Sequence, residues 1–339
     1  MSEPKQHHYV PVCYSKNFTN GEGYLHIKDI WTGKVFPAKP ENSLKQGHLY
    51  RQPVHAENRF DNAMERFFSG AVESSWPQIV AKVNSREQID RDTWARIIAF
   101  TYAMRVRVPN TIKAVIQLLR ESVCNASAEL DAPAPELLVE LFHKKHPEFR
   151  GQVAFNDLIN SGIVNIDIDP HTAISSFEKL IQTNDSAFIF KEQPNFLHNM
   201  TDIDFVSSDN PVIFHIFRTN LDEITPYSFS SFDDNELIFP VSKKTALLLR
   251  TRNKKRRQHE CTYSPNTVRK INNKISRYAD RYVFGSSEES LRYLSDDSNL
   301  CPTPIFDRSM VGNGKVHKIA YEFGEPLKIR NKWKYSFEP

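Results

Sequence analysis

Residues 246–281 read ALLLRTRNKKRRQHECTYSPNTVRKINNKISRYADR, and this stretch predicts the two elements on which the fold class rests. The run at 246–249 is short and apolar, as is typical of a buried strand. Ser264 and Pro265 suit the N-cap and the first turn of a helix, because serine can accept a free N–H and proline needs no N–H there. Apolar residues then recur at helical spacing, at Val268, Ile271, Ile275 and Ala279.

The rest of the chain shows a hairpin, then helices, then strands. Residues 24–36 alternate as a β-hairpin that turns near Thr32-Gly33. A helical period begins near residue 56 and returns several times, in segments that include 60–71, 94–102, 137–142 and 170–182. Strand-like runs then dominate, at 187–190, 204–206, 212–214 and 237–239.

These patterns predict an α+β fold, with an N-terminal β-hairpin, a helical middle region and a C-terminal, mostly antiparallel sheet with a basic helix. No Pro/Gly/Ser-rich linker interrupts the chain, so we expect residues 1–339 to form a single compact domain. Its sub-regions would be residues 1–55, 56–185 and 186–339.

The composition excludes several classes of protein. With 40% hydrophobic and 25% charged residues, the chain has a globular balance. Its mean hydropathy is -0.52 and no apolar run approaches the roughly 18 residues that span a bilayer, so no membrane association is expected. The four cysteines are far apart, and no signal peptide is evident, which indicates a reducing, cytoplasmic location. No glycine-rich nucleotide fingerprint occurs.

Positive charge is concentrated near the C-terminal third. Between Lys243 and Arg281 there are 13 Lys or Arg and two acidic residues, a formal +11, whereas the other 300 residues carry -8. Such an asymmetry attracts polyanions, and a solvated loop and helix face is the alternative explanation. The residues expected to contact phosphate here are Arg252, Lys254, Lys255, Arg256, Arg257, Lys270 and Lys274.

Two polar motifs could carry chemistry. His7-His8-Tyr9-Val10-Pro11 places an imidazole, which titrates near neutrality, where it could act as a general base or a metal ligand. The alternative is a polar N-terminal tail.

The second motif is Ser207–Val212. Here Asp209 and Asn210 interrupt two strand-like runs, and such loop residues are common in active sites. An Asx-turn before Pro211 explains the same residues structurally.

Two further groups are candidates for ligand binding. Glu57, Asp61 and Glu65 recur every four residues and could hold a hard divalent cation, although such a stripe is often only solvated. Arg105 falls on a largely apolar helix face, where a guanidinium requires a carboxylate or a phosphate oxygen. Asn272 likewise faces inward and requires polar partners.

The same residues resemble an uncharacterised, mostly bacterial family known only as a domain of unknown function. The likeness consists of the opening H-H-Y-V-P at 7–11, a hairpin at 24–36, and S-D-N-P-V at 208–212. Helix glutamates of the family would match Glu57 and Glu65, and its helix-ending arginine would match Arg105. The resemblance supplies no reaction, but it implies that His8 and Asp209 belong to one site. A weaker likeness to the His-Asn-His nuclease pattern would use Asn42 and His48, whose separation is shorter than that pattern prefers.

The favoured hypothesis is a metal-dependent nuclease or phosphoesterase acting on nucleic acid, in bacterial defence or as a toxin. His7 or His8 would be the base, Asn210 an orienting residue and Arg105 a phosphate clamp. Glu65, Asp209 and His8 would hold Mg²⁺ or Mn²⁺.

The alternative hypothesis is a non-enzymatic sensor module that binds nucleic acid or a protein encoded in the same operon. A hydrolase or transferase for a small nucleotide is a third possibility. The sequence predicts no oligomeric state.

Overall fold

A computed structural model gives the architecture of the chain. It describes residues 6–47, 52–54, 59–61, 66–109, 111–112, 116, 119–120, 123, 134–166, 194–216, 235–250, 257–294, 303–306, 311–312, 315–316 and 321–324.

The described residues contain short strands at both ends of the chain and most of the helices between them. The helices are α1 (Val12–Ser15), α2 (Trp76–Asn84), α3 (Arg91–Val106), α4 (Glu136–Lys145), α5 (Phe155–Asn160), α6 (Pro265–Tyr278) and α7 (Glu288–Arg292). The first strands are β1 (Gln6–His8), β2 (Leu25–Asp29), β3 (Val35–Ala38), β4 (Lys45–Gly47), β5 (Gln52–Val54) and β6 (Arg59–Asp61). The next are β7 (Phe196–Asn199), β8 (Ser207–Ser208), β9 (Ile213–Ile216), β10 (Asn235–Ser242), β11 (Thr245–Arg250), β12 (His259–Thr262) and β13 (Tyr282–Gly285). The last are β14 (Thr303–Phe306), β15 (Val311–Gly312), β16 (Lys315–Val316) and β17 (Tyr321–Gly324).

The largest sheet has the strand order β12-β7-β11-β10-β9. Its pairs are antiparallel except for β12 and β7, which are parallel. This confirms the predicted α+β class with a mostly antiparallel C-terminal sheet. The apolar run at 246–249 lies in β11, in the middle of this sheet, and is buried as its composition predicts.

Both faces of this sheet are covered, because side chains alternate between the two sides of a strand. On β11, Leu247 belongs to the buried cluster that includes Trp76 of α2 and Phe100 of α3, whereas Leu248 belongs to the cluster that includes Val268 and Ile271 of α6. The sheet is therefore a middle layer between two helical layers. Strands buried on both faces read as continuous apolar runs, which explains the Leu-Leu-Leu sequence.

A second sheet joins the N-terminal hairpin to two strands from much later in the chain, in the order β3-β2-β13-β8. The predicted hairpin is confirmed as β2 and β3. Gly33, at φ 70, allows the turn between them, and its N–H donates to the carbonyl of Asp29 at 2.8 Å. Strand β2 then pairs antiparallel with β13, about 250 residues later in the chain, as Phe284 opposite Ile27 shows.

Tyr14 ties this second sheet to the largest one. Its ring is fully buried and stacks on Phe239, with ring centroids 5.3 Å apart. Its hydroxyl donates to the carbonyl of Pro240 in β10 and contacts Ser207 Oγ of β8, both at 2.7 Å. The N-terminal segment is thus an internal part of the core.

Three predicted helices are confirmed, and the second of them begins where the sequence predicts. The helix through residues 94–102 is α3, capped by Asp90, which accepts the N–H of Thr93 at 2.8 Å. The basic helix is α6, capped by Ser264. The helical segment at 137–142 is confirmed as part of α4.

One predicted helix begins too early. The sequence predicts a helix from Phe60, but residues 59–61 form β6, which pairs with β5 in a short hairpin. That pairing satisfies the backbone groups which a helix would otherwise use. A π-helical segment, Phe68–Glu73, follows later. The helix expected at 170–182 and the strand expected at 187–190 lie outside the described residues.

Candidate functional site

His7 and His8 lie on β1, which pairs with β4 and places His8 opposite Lys45. Successive side chains on a strand point to opposite faces, so the two imidazoles have different surroundings. His7 is fully buried, whereas His8 is half-buried. Of the two, His8 is therefore the one that a substrate could reach.

The imidazole of His8 lies among charged groups. Burial, Lys45 and Arg107 lower its pKa, while a hydrogen bond with the backbone of Ser43 and the charge of Glu73 oppose that change. Its Nδ1 atom is buried and has no hydrogen-bond partner in the described part of the chain. Because the pKa of His8 is lowered from 6.5, the ring is mostly neutral at neutral pH, and one of its two nitrogens then has an acceptor lone pair.

Arg107 is fixed beside His8. Its Nη1 pairs with Glu73 Oε1 at 2.6 Å, and its Nη2 donates to the carbonyl of His8 at 2.5 Å. The guanidinium also lies 4.5 Å from the ring centroid of Phe68. Only 1% of the Arg107 side chain is exposed, against 20% for Glu73, so the cation is held in one orientation. His8, Lys45, Glu73 and Arg107 are called the His8 cluster below.

Cys13 approaches this cluster but supplies no reactive thiolate. Its Sγ lies 4.0 Å from Glu73 Oε2. Burial, together with the charge of Glu73, raises the pKa of the thiol to about 12. The thiolate is the nucleophilic form of cysteine, and it is scarce here at neutral pH.

Sequence reasoning missed Lys45, Glu73 and Arg107. The available signal was the sequence Arg105-Val-Arg107-Val-Pro109, which repeats an arginine near the end of an apolar helix. Glu73 and Lys45 carried no signal of their own, because their role depends on contacts between distant parts of the chain.

Arg105 is buried, as its place on an apolar face predicts. Its carbonyl accepts the hydroxyl of Thr111 at 2.7 Å. Arg105 lies in the last turn of α3, whereas Arg107 follows that helix as its C-terminal cap. The phosphate clamp assigned to Arg105 stays a prediction, and Arg107 is the arginine that contacts the His8 cluster.

Asp209 is buried and receives three backbone hydrogen bonds. Oδ1 accepts the N–H of Asp280 at 2.8 Å, and Oδ2 accepts those of Arg281 and Tyr282 at 2.7 and 2.9 Å. Burial and the charge of Asp280 raise the pKa of Asp209 to about 7, whereas the three donors favour the ionised form. The carboxylate therefore fastens β8 to the connection between α6 and β13.

Asn210 has a similar role, since its Nδ2 donates to the carbonyl of Tyr278 at 3.1 Å. The buried Asn272 donates to the carbonyl of Asp204 at 2.9 Å and accepts the N–H of Val206 at 3.1 Å, which confirms its inward position. Together these amides and Asp209 join the 204–210 segment to α6 and to the start of β13.

The H-H-Y-V-P and S-D-N-P-V motifs lie close together. Burial raises the pKa of Tyr9 well above its usual value, the charge of Asp209 adds to this increase, and the charge of Arg281 opposes it. His8, the preceding residue, is engaged with Arg107. The structure thus brings the two motifs side by side, with His8 and Asp209 in separate hydrogen-bond networks.

The basic residues of α6 are only partly available. Lys270 and Arg277 are exposed and Lys274 is half-buried. Arg281 pairs with Asp29 at 2.8 Å and lies against the rings of Trp31 and Tyr282, 5.0 and 4.9 Å from their centroids. Arg257 is exposed.

Several predicted residues lie outside the described part of the chain. They are Glu57, Glu65, Arg252, Lys254, Lys255 and Arg256, and of Asp61 only the backbone is described. Among the described side chains, no three His, Cys, Asp or Glu residues form a group that could hold a metal ion. No helix in the described ranges has the length and apolar character to cross a membrane.

Comparison with known proteins gives one match. A family model described as "Protein of unknown function (DUF4238)" matches residues 6–289, which run from β1 into α7. No curated protein and no solved structure matches the chain.

Proposed function

The chain belongs to the DUF4238 family, whose function is unknown, and we propose that it hydrolyses phosphoester bonds in nucleic acid with His8 as the general base. The observation that carries the proposal is the buried Nδ1 of His8, which has no hydrogen-bond partner in the described chain and belongs to a ring that lies near the charges of Lys45 and Arg107. A buried polar atom of this kind requires a partner from water or a ligand, and we propose that Nδ1 is the acceptor.

The proposed step uses this nitrogen as the proton acceptor. A water molecule that donates to Nδ1 loses its proton to His8 as its oxygen forms a bond to phosphorus. The bond from phosphorus to the leaving oxygen breaks, and that oxygen takes a proton from solvent. Lys45 and Arg107 supply positive charge near the phosphate as negative charge redistributes over its oxygens.

A divalent cation, Mg²⁺ or Mn²⁺, remains part of the proposal. Glu73 is a described carboxylate whose charge acts on His8, and 20% of its side chain is exposed. Asp209 is less suited to bind a cation, because both its oxygens already accept backbone hydrogen bonds. Glu65 stays a predicted ligand.

The exposed basic residues of α6 would hold the polyanion outside the His8 cluster. Lys270 and Arg277 lie seven residues apart, about 10 Å along a helix. Each phosphate contact releases counterions, so binding should weaken steeply as salt rises. The predicted contacts at 252–257 would extend this surface.

The test is cleavage of labelled DNA and RNA with Mg²⁺, Mn²⁺ or EDTA, comparing the wild-type chain with His8→Ala. His26→Ala is the matched control, because His26 is also half-buried on a strand and lies in β2. We expect His8→Ala to abolish cleavage with an unchanged melting temperature, and His26→Ala to retain it. Full activity in His8→Ala would refute the assignment.

The lowered pKa of His8 gives a second readout. A general base must be neutral, and the ordinary pKa of histidine is 6.5. We expect the cleavage rate to stay constant from neutral pH to below 6.5 and to fall only as His8 becomes protonated. A rate that falls with an inflection above 6.5 would contradict this role.

A second candidate function is a non-enzymatic sensor that binds nucleic acid or a protein partner, for example in bacterial defence. The structural role of Asp209 favours it, since that residue then needs no catalytic function. It requires salt-sensitive retention of the same probes without product, and loss of retention in Lys270→Glu/Arg277→Glu. Retention unchanged by this charge reversal would argue against the α6 surface.

A further inference from the structure

Trp31 is a large exposed side chain in the turn between β2 and β3, beside the end of the basic helix α6. It is 41% exposed, and the guanidinium carbon of Arg281 lies 5.0 Å from its ring centroid. A single exposed aromatic residue needs no explanation by itself. This one differs because its position and its cationic neighbour are both fixed by hydrogen bonds.

One carboxylate fixes Trp31 and Arg281 together. Asp29 is buried, and its Oδ1 accepts the backbone N–H of Trp31 at 3.0 Å. Its Oδ2 accepts from Nε and Nη2 of Arg281 at 3.1 and 2.8 Å. The N–H of Ile30 also donates to the carbonyl of Arg281 at 2.9 Å. The turn that carries Trp31 is therefore tied to the segment that follows α6, with the guanidinium against one face of the indole.

The accessible charge around Trp31 is mostly positive. Lys34, in the same turn, is exposed, as is Arg277 in the last turn of α6. The side chain of Arg281 is 40% exposed. Asp280 is half-buried, and its charge acts on the buried side chains behind this surface. Such a surface attracts phosphate groups and offers an aromatic ring at the same place.

We propose that Trp31, Arg281 and the exposed basic residues of α6 bind single-stranded nucleic acid, with one base stacked on the indole face away from Arg281. This binding mode depends on the nucleic-acid substrate proposed above and specifies its single-stranded form. Every base has a face that stacks on an aromatic ring, whereas in a duplex the neighbouring base pairs cover those faces. The basic residues contact the phosphates of the same strand and give no sequence preference.

Tyr293 provides a comparison within the same chain. It is 49% exposed, and Arg269 lies 5.2 Å from its ring centroid. Its hydroxyl, however, donates to Glu289 Oε1 at 3.1 Å, and Glu288 and Glu289 of α7 are both exposed. These carboxylates repel phosphate, whereas the carboxylate beside Trp31 is buried and paired. We therefore expect no base to stack on Tyr293.

The first experiment measures binding of labelled DNA and RNA strands of about 15 nucleotides, a length that covers the site of most single-strand binders. Fluorescence anisotropy is recorded in EDTA, so that cation-dependent cleavage does not consume the probe. We expect a strand to bind more tightly than its duplex. Trp31→Ala should weaken strand binding by about 5- to 150-fold, Trp31→Phe should retain most of it, and Tyr293→Ala should bind as the wild type does.

The dependence of binding on salt separates stacking from charge. The indole carries no charge, so Trp31→Ala should show the same slope of log affinity against log salt as the wild type. Lys270→Glu/Arg277→Glu should show a shallower slope, because it loses phosphate contacts. A strand that lacks bases tests the same point without any substitution, since it should bind the wild type as weakly as the ordinary strand binds Trp31→Ala.

Equal affinity of the wild type for strand and duplex, or unchanged strand binding in Trp31→Ala, would overturn the proposal. An equal loss in Tyr293→Ala would overturn it too. Cleavage by a protein whose binding does not depend on Trp31 would refute this binding mode and leave the hydrolase proposal standing. Strand binding that depends on Trp31, without cleavage in Mg²⁺ or Mn²⁺, would support this mode and refute the hydrolase.

Discussion

Replacing Asp209 should destabilise the fold, since its carboxylate accepts the N–H groups of Asp280, Arg281 and Tyr282. Asp209→Ala leaves three donors without this acceptor, in a place where the carboxylate is only 3% exposed. Each orphaned buried donor costs about 1–3 kcal/mol, so even the lowest value gives a loss of about 3 kcal/mol. At about 2.1 cal/mol/K of unfolding entropy per residue, this corresponds to a melting temperature roughly 4 °C lower for 339 residues.

Asp209→Asn removes the negative charge but keeps one oxygen that can accept hydrogen bonds. Its one oxygen can still accept the two N–H groups that now donate to Oδ2, while its amide faces the N–H of Asp280. One donor is then orphaned, and the expected loss is about 1–3 kcal/mol. Asp209→Asn should therefore lie between the wild type and Asp209→Ala.

The assay is urea unfolding followed by tryptophan fluorescence. The slope of the transition should be the same in every variant, because a changed slope would indicate a changed denatured state. Asp202→Ala is the control, since Asp202 is an exposed aspartate seven residues away. If Asp209→Ala unfolds at the wild-type midpoint yet loses cleavage, the structural role is refuted and a catalytic role is favoured.

Three further predictions follow from local contacts. Tyr14→Phe removes the hydroxyl that donates to Pro240 and should lower the free energy of unfolding by about 1–2 kcal/mol, measured by urea unfolding. Ser264→Ala removes the cap of α6 and should lower it by about 1 kcal/mol in the same assay. Burial raises the pKa of Asp29, but Arg281 and the backbone of Trp31 and Thr32 together outweigh it and lower that pKa from 3.8. These contacts therefore stabilise the fold above pH 3.8, and their contribution is lost as pH falls through the lowered pKa. In Asp29→Asn, the free energy of unfolding should therefore fall less steeply at acid pH than it does in the wild type.

Each of these predictions has a matched control. Tyr263→Phe, at a side chain that is 75% exposed, should leave stability unchanged. Ser264→Asp should retain the cap and with it the stability of the wild type. Asp202→Asn should show the same decrease in the free energy of unfolding at acid pH as the wild type. Equal losses in a control and its test variant would show that the named contact is not the cause.

The sequence predicted those elements whose signals are local. Ser264-Pro265 with apolar residues at helical spacing defined α6, and the alternating residues around Gly33 defined the first hairpin. Phe60 was assigned to a helix because its spacing to Met64 and Phe67 is helical, but pairing with β5 decides its conformation. The spacing of apolar residues within one segment does not show which other strand that segment will pair with.

The candidate site was predictable in its motifs and not in its contacts. The H-H-Y-V-P string drew attention to His8, but the opposing Lys45, the arginine at 107 and Glu73 are brought there only by folding. In the sequence, Asp209 was an equally good candidate for a catalytic role, and a structural role in an Asx-turn was the alternative. Three backbone donors from the turn after α6 favour that role, and no local pattern shows them.

The hydrogen bonds of Tyr14 also determine how late the N-terminal segment can finish folding while the chain is being synthesised. Its partners Ser207 and Pro240 come 193 and 226 residues later, and β2 has to wait for β13. At translation rates of about 5–20 residues per second, the N-terminal segment waits roughly 10–45 s for them. During that interval the side chains of Tyr14 and Phe18, which become fully buried, stay accessible to chaperones or to other nascent chains. Residues 14–18 are thus synthesised well before the strands that enclose them.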